Sequence, residues 1–70
     1  YPNPTTGELR WEGAEKAVTV RVYDVLGQLR LEGAAAEGHI DVKGLPVGLY
    51  VVQFLDAVGS VVAVHKVQRI

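Results

Sequence analysis

A tight chain reversal that leads directly into an apolar run constrains this chain more than any other feature, and it occupies Leu45–Phe54. Pro46 fixes φ at about −65°, and Gly48 can adopt the positive φ that other residues avoid. The residues after Gly48 are mostly β-branched or aromatic, which is typical of a central strand. The stretch therefore predicts a corner at which the chain enters a buried β-strand.

Tyr50 lies two residues after Gly48, where a tyrosine corner would place it in a two-sheet sandwich. In that motif the ring packs in the core, and the hydroxyl hydrogen-bonds to the backbone of the preceding loop. The alternative is that Tyr50 is an ordinary core residue. Both interpretations give Tyr50 a structural role and no part in a reaction centre.

An alternating stretch earlier in the chain predicts a first β-hairpin. Apolar residues alternate with other side chains over residues 18–23, which indicates a half-buried strand. Asp24–Gly27 follows as a type I turn, because Asp is favoured at the first position of that turn and Gly at the fourth. Gln28–Glu32 is then expected to return as the second arm, with Leu29 and Leu31 pointing inward.

The same arrangement recurs further along the chain. Residues 49–55 predict a strand that is apolar on both faces and therefore central, Asp56–Gly59 predicts a turn, and Ser60–Ile70 predicts the last strand. The two units suggest two similar hairpins, one in each sheet of a sandwich. The alternative is that the match is coincidental, since hairpins favour this turn in any case.

The remaining segments predict shorter elements. Glu8–Trp11 is expected to form a short edge strand, with Leu9 and Trp11 facing the same way. Gly33–Gly38 contains three alanines, but its flanking glycines and short length favour a loop over a helix. His39–Val42 predicts a brief strand. The fold class is therefore all-β, as a small antiparallel β-sandwich.

Length and composition bound the possible functions. The 70 residues allow one domain at most, and the absence of Cys excludes disulfides and thiolate metal or redox sites. The formal net charge of −1 gives no electrostatic footprint for nucleic acid or for an anionic membrane. No apolar run approaches the roughly 20 residues of a membrane span, so we expect no direct membrane insertion.

The start of the sequence suggests how the domain is joined to other sequence. Residues 1–7 contain alternate prolines, which favour extended backbone, and we interpret them as the end of a linker that leads into the first strand. Residues 8–70 then form the single domain. Because the sequence contains no Met, we expect it to be a segment of a longer chain whose other parts include its partner.

Side chains that could carry out chemistry are few and scattered. Ser60 is the only serine, and it follows a turn glycine without a nucleophile motif around it. His39 and His65 are far apart and have no metal-ligand spacing. The sequence therefore predicts no enzyme, no metal site and no cofactor. Trp11 and Tyr23 leave a carbohydrate-stacking platform as an alternative.

Four motifs in order resemble the C-terminal sorting domain of bacterial type IX (Por) secretion system cargo, type A. They are an opening Asn-Pro-x-x-Gly, a central Asp-x-x-Gly hairpin, a Gly-x-Tyr corner after a short strand, and a Lys in the closing strand. The resemblance covers essentially the whole chain. The candidate sorting-motif residues are Pro2, Asn3, Pro4, Gly7, Asp24, Gly27, Gly48, Tyr50 and Lys66.

The resemblance implies an immunoglobulin-like sandwich at the end of a secreted protein, with the cargo domain on its N-terminal side. Such cargo folds in the periplasm, the outer-membrane machinery recognises the sorting domain, and a sortase-like cysteine peptidase removes it. The product then reaches the cell surface or the medium. The alternatives are a carbohydrate-binding module, which would expose an aromatic platform, and a purely structural module, which would expose a large apolar patch. The sorting function predicts neither surface.

Overall fold

A computed structural model of the chain describes residues 7–13 and 15–70, and within them the chain forms two antiparallel sheets. The strands are β1 (Glu8–Arg10), β2 (Thr19–Asp24), β3 (Leu29–Ala34), β4 (His39–Asp41), β5 (Gly48–Leu55) and β6 (Val61–Arg69). Strands β1 and β4 form one sheet, and the other has the order β3-β2-β5-β6. Within the same residues, no helix has the length and apolar character needed to cross a membrane.

The core lies between the two sheets and draws on alternate positions of the strands. Val20 and Val22 are fully buried, so the predicted alternation is confirmed within β2, whereas Val18 precedes the strand and is 53% exposed. Leu9 and Trp11 are both buried, which confirms that they face the same way. The buried cluster comprises Leu9, Trp11, Val20, Val22, Ala35, Val42, Leu45, Tyr50, Val52, Phe54 and Val67.

The two predicted Asp-x-x-Gly turns are confirmed, and their hydrogen bonding is the same. The Asp24 carboxylate accepts the backbone N–H groups two and four residues further on, at 2.9 and 3.0 Å. The Asp56 carboxylate accepts the corresponding groups at 3.1 and 2.9 Å. The fourth residue of each turn is in the left-handed region, with φ of +81° at Gly27 and +85° at Gly59.

The two hairpins also share an irregularity and are related by an approximate two-fold axis. One extra residue bulges from each returning strand, Arg30 in β3 and Val62 in β6. Arg21 of β2 is the Cα partner of Gln53 in β5, and these positions correspond when the hairpins are aligned. The axis therefore passes between them, perpendicular to the sheet.

The placement of the hairpins in separate sheets was wrong. Strand β2 pairs with β5 along its whole length, from Thr19 opposite Leu55 to Asp24 opposite Tyr50. This pairing joins the two hairpins edge to edge in one four-stranded sheet. The opposing layer is made instead by the two short strands β1 and β4.

The shared turn leads to a stability prediction. We expect Asp24→Ala and Asp56→Ala each to lower the free energy of unfolding by about 1 kcal/mol, because each leaves two backbone N–H groups without their acceptor. The turns lie at opposite ends of the sheet, so the two losses should add. Urea denaturation of the single and double variants measures this, with Asp→Asn as the control that keeps an acceptor oxygen. Unchanged midpoints for both alanine variants would contradict it.

The prediction that Leu29 and Leu31 both point inward is confirmed for Leu31 and wrong for Leu29. Leu31 packs against the core, but Leu29 is 50% exposed. The bulge at Arg30 is the physical reason, because an extra residue between the two leucines sends them to opposite faces of the sheet. Leu29 thus lies on the outer face, across from Tyr23.

The prediction that Gly33–Gly38 is a loop is wrong for the first part of the segment. Strand β3 continues through Ala34, a 3₁₀ turn covers Ala35–Glu37, and Gly38 ends it with φ of +75°. Ala35 is buried, donates its N–H to the Val18 carbonyl at 3.0 Å and accepts the Trp11 indole at 2.9 Å. These tertiary contacts fix a segment whose own sequence specifies little.

Strand β5 is central, between β2 and β6, as its apolar sequence predicted. Its inner face is buried at Tyr50, Val52 and Phe54. The outer face is not covered along its length, since Leu49 is 58% exposed and Val51 is half-buried. The sequence therefore predicted the position of the strand but overestimated the burial of its outer face.

Candidate functional site

The corner before β5 has the predicted tyrosine-corner geometry. The Tyr50 side chain is buried in the core, and its hydroxyl donates a 2.5 Å hydrogen bond to the Pro46 carbonyl. Leu45 is also buried and anchors the start of the corner. Gly48 joins the corner to β5 with φ of +156°. The hydrogen bond distinguishes Tyr50 from an ordinary core residue, so the tyrosine corner is confirmed.

We expect Tyr50→Phe to lower the free energy of unfolding by roughly 1 kcal/mol, because it removes one hydrogen bond and leaves the ring in place. The midpoint of urea denaturation measures the loss. Tyr23→Phe is the comparison, since it makes the same change at a half-buried ring on β2 whose hydroxyl interacts with Arg21 at the exposed face of the sheet, and we expect it to cost less. Equal midpoints for Tyr50→Phe and the unaltered chain would show that the corner hydrogen bond adds no stability.

Val42 is a backbone hub, because its N–H and carbonyl contact three separate segments of the chain. Its N–H donates to the Gly7 carbonyl at 2.9 Å, and its carbonyl accepts the Leu45 N–H at 3.0 Å. The same carbonyl accepts the Nε–H of Arg69 at 3.1 Å. The beginning of β1, the corner and the end of β6 are thereby held at one end of the sandwich.

The first hairpin turn lies at this end as well. Asp24 is the Cα partner of Tyr50, and Gly48 is the partner of Arg69. The structure thus brings Gly7, Asp24, Gly27, Gly48 and Tyr50 to one end of the molecule. Pro2, Asn3 and Pro4 lie outside the described residues.

Lys66 lies on the exposed outer face of β6, with Val51 of β5 as its Cα partner. It is one position before Val67, which is buried and pairs with Tyr50. Lys66 is therefore close to the motif end of the sandwich, but its side chain faces away from the core. The exposed position agrees with what a charged residue in this strand requires.

The sequence interpretation missed Arg69. Its guanidinium crosses from the end of β6 to the backbone of the β4–β5 segment, where it donates to Val42 at 3.1 Å and Lys43 at 3.2 Å. Because both acceptors are carbonyl oxygens, no side-chain pattern could have identified them. The only available signal was an Arg at the end of a strand that closes the fold.

The groups considered for catalysis have structural roles. Ser60 donates its backbone N–H to Asp56 and belongs to the second turn. His39 is exposed and lies 3.5 Å from Glu8, and His65 is exposed with its ring edge-on to Phe54, at 6.0 Å between centroids. Within residues 7–13 and 15–70, no group of three or more potential ligands could hold a metal ion.

Electrostatic pairing on the outer face is centred on the first hairpin. Arg21 of β2 donates from Nε to Glu32 of β3 at 2.6 Å. Hydrogen bonds with Glu32 and then Tyr23 raise the pKa of Arg21 above its ordinary value. Arg21 and Glu32 therefore form a solvent-exposed ion pair between neighbouring strands.

The aromatic rings that the structure describes do not form the surface that a carbohydrate platform needs. Trp11 is buried, donates its indole N–H to Ala35 at 2.9 Å and meets Phe54 edge-on at a centroid distance of 5.2 Å. Tyr50 is buried in the corner, and Tyr23 is only half-buried. A groove of about 340 Å³ beside Trp11 is lined by Phe54 and is apolar in part, but it exposes no stacked pair of rings.

The fold and the site together define a small all-β module that is stabilised by a tyrosine corner and by two Asp-x-x-Gly turns with the same hydrogen bonding. Residues 1–68 match the family model described as the secretion system C-terminal sorting domain. The chain therefore belongs to the C-terminal sorting domains of the type IX secretion system, which direct the export of a cargo protein and are not catalytic. Neither the comparison with curated proteins nor that with solved structures found a match.

Proposed function

We propose that this chain is a type A sorting signal that is recognised in folded form by the outer-membrane type IX machinery. The cargo domain lies on its N-terminal side, residues 1–7 end the linker, and residues 8–70 are the signal. The protein passes through the periplasm, and a sortase-like cysteine peptidase removes the domain as the cargo reaches the cell surface or the medium. The family match over residues 1–68 is the observation that carries this proposal.

We further propose that the sandwich is immunoglobulin-like. The pairing of β1 with β4 corresponds to immunoglobulin strands B and E, and the order β3-β2-β5-β6 corresponds to strands C′, C, F and G. In that scheme Tyr50 is at the beginning of strand F, where the tyrosine corner of an immunoglobulin domain is found. Strand order and corner position support the assignment independently.

The motif residues divide into two proposed roles. Gly7, Asp24, Gly27, Gly48 and Tyr50 belong to the turns and backbone contacts of one end, and we assign them to holding the shape that the machinery recognises. Lys66 has an exposed side chain on the outer face, and we assign it to direct contact with the machinery. Pro2, Asn3 and Pro4 are proposed to form the junction with the cargo.

Export of a reporter tests the proposal directly. The chain is joined to the C-terminal end of a periplasmic reporter in a bacterium with a working type IX system, and extracellular and surface reporter are measured. We expect export with the intact chain and periplasmic retention when the chain is replaced by an unrelated β-sandwich of similar size. The same distribution for both fusions would overturn the proposed function, and so would export in a strain that lacks the system.

A further inference from the structure

Gly7 differs from the other described motif glycines in what surrounds it. Gly27 and Gly48 have positive φ, and a Cβ at either position would meet nothing within 4 Å. A Cβ at Gly7 would lie 3.1 Å from Cε of Lys43 and 3.3 Å from its Cγ. Both distances are shorter than an ordinary van der Waals contact between carbon atoms. The Lys43 stem therefore lies across Gly7 and fills the space that a larger side chain would need.

The backbone of Lys43 is held on both sides, so the fold sets the position of its stem. The Lys43 N–H donates to the Asp41 carboxylate at the end of β4, at 2.8 Å. The Lys43 carbonyl accepts the Nη2–H of Arg69 at the end of β6, at 3.2 Å. Because both backbone groups have partners, the stem is directed towards Gly7 by contacts that lie outside the side chain itself.

Gly7 is tied to the same segment by its own backbone. Its carbonyl accepts the Val42 N–H at 2.9 Å, which continues the pairing of β1 with β4 one step beyond Glu8 opposite Asp41. The Val42 carbonyl in turn accepts the Nε–H of Arg69 at 3.1 Å. The place where the linker meets the domain is therefore connected through one short segment to the last strand of the sheet.

The aliphatic part of Lys43 makes the contact with Gly7. Its Cγ, Cδ and Cε lie 3.3, 3.8 and 3.1 Å from the position that a Cβ of Gly7 would take. Lys43 is exposed, so its ammonium can stay in water while the stem covers the backbone. The contact thus depends on the length and shape of the side chain, and a neutral side chain of similar shape should replace it.

We propose that Lys43 is a positioning residue for the junction with the cargo. Its stem, packed across Gly7, fixes the direction in which the linker leaves the domain, and Arg69 makes that direction depend on the docking of β6. The alternate prolines of residues 1–7 predict a semi-rigid segment, which carries the direction along the linker. The inference rests on the proposed function, since the peptidase that removes the domain is what uses the junction.

Removal of the domain breaks one peptide bond of the linker. The thiolate of the peptidase takes the acyl group of the cargo, the domain leaves with a protonated new amino group, and water or an amine then releases the cargo. The rate of such a step depends strongly on the orientation of the bond in the active site. A linker that leaves the domain in another direction should therefore be cut slowly, although the domain is still exported.

Nuclear Overhauser effects between the Lys43 stem and the Hα protons of Gly7 test the packing in the purified chain. We expect them in the unaltered chain and in Lys43→Met, which keeps an unbranched stem. In Arg69→Ala we expect them to weaken and the Val42 amide to exchange with solvent roughly fivefold faster. Absence of these effects in the unaltered chain would overturn the packing, and unchanged effects and exchange in Arg69→Ala would overturn the link to β6.

Removal is measured on the exported reporter fusion, as the rate at which reporter outside the cell loses the domain. We expect Lys43→Ala and Gly7→Ala each to slow removal roughly tenfold. The double variant should be no slower than Lys43→Ala, because both changes act through one contact. Gly44→Ala is the control, since a Cβ there would meet nothing within 4 Å. Thermal melting establishes that each variant folds.

Lys43→Met separates the stem from the charge, and we expect it to restore removal. Equal slowing by Lys43→Met and Lys43→Ala would assign the effect to the ammonium and overturn the positioning role. Periplasmic retention of a folded Lys43→Ala variant would also overturn it, because Lys43 would then act in recognition by the machinery.

Export separates this inference from the proposed function. If the unaltered chain is exported and cut, and the folded Lys43→Ala variant is exported with the domain still attached, the inference is supported. If both are cut at the same rate, or if the unaltered chain is exported and never cut, the inference fails and the sorting function stands. If the unaltered chain is not exported, both fail.

Discussion

Trp11→Ala is expected to leave the domain largely unfolded near physiological temperature. The substitution removes a buried ring that bridges the two layers, by its edge contact with Phe54 and by its hydrogen bond to Ala35. Truncation of a buried Trp costs about 3–5 kcal/mol. A core of this size rarely supplies more than about 3–5 kcal/mol of net stability, so the loss is comparable to the whole.

Urea denaturation followed by circular dichroism measures this effect. Trp11→Phe is the control, because a smaller ring can keep the contact with Phe54 but cannot donate to Ala35, and we expect it to cost less than the Ala variant. A midpoint for Trp11→Ala close to that of the unaltered chain would contradict the bridging role. Since a sorting domain acts in folded form under our proposal, the Ala variant should also fail to export a reporter.

Local chemistry explains why the hairpins could be predicted. An Asp whose carboxylate accepts two backbone N–H groups, followed by a Gly in the left-handed region, specifies a turn within five residues. Alternating apolar residues on either side then fix the faces of the strands. The corner at Tyr50 was predictable for the same reason, because donor and acceptor lie four residues apart.

The assignment of strands to sheets could not be predicted in the same way. The pairing of β2 with β5 joins residues that are far apart in sequence, and no local signal states which hairpin edge meets which. The bulge at Arg30 was also hidden, because period two assumes that every residue is paired. This single extra residue is what moved Leu29 to the outer face.

The candidate site was predictable in its side chains and not in its backbone contacts. Asp24 and Tyr50 were identified from the motifs, whereas the hub at Val42 depends on its N–H and carbonyl, which every residue but proline possesses.

Lys66→Ala is expected to abolish export of a reporter while the domain stays folded. Lys66 is exposed on β6, so we expect its loss to change the free energy of unfolding by no more than about 0.5 kcal/mol, as for most surface substitutions. If the ammonium contacts the machinery directly, its removal weakens recognition of a domain that is still folded. Melting of the purified chain and the distribution of the reporter measure the two effects separately.

Lys16→Ala is the matched control, because it removes the same exposed side chain from the loop before β2. Deletion of residues 68–70 is a poorer test, since it removes the Arg69 contacts with Val42 and Lys43 and so disturbs the fold as well. Removal of Ile70 alone spares those contacts. Normal export by a folded Lys66→Ala variant would show that the machinery does not use this ammonium. Recognition would then have to rest on the end of the sandwich that Asp24 and Tyr50 define.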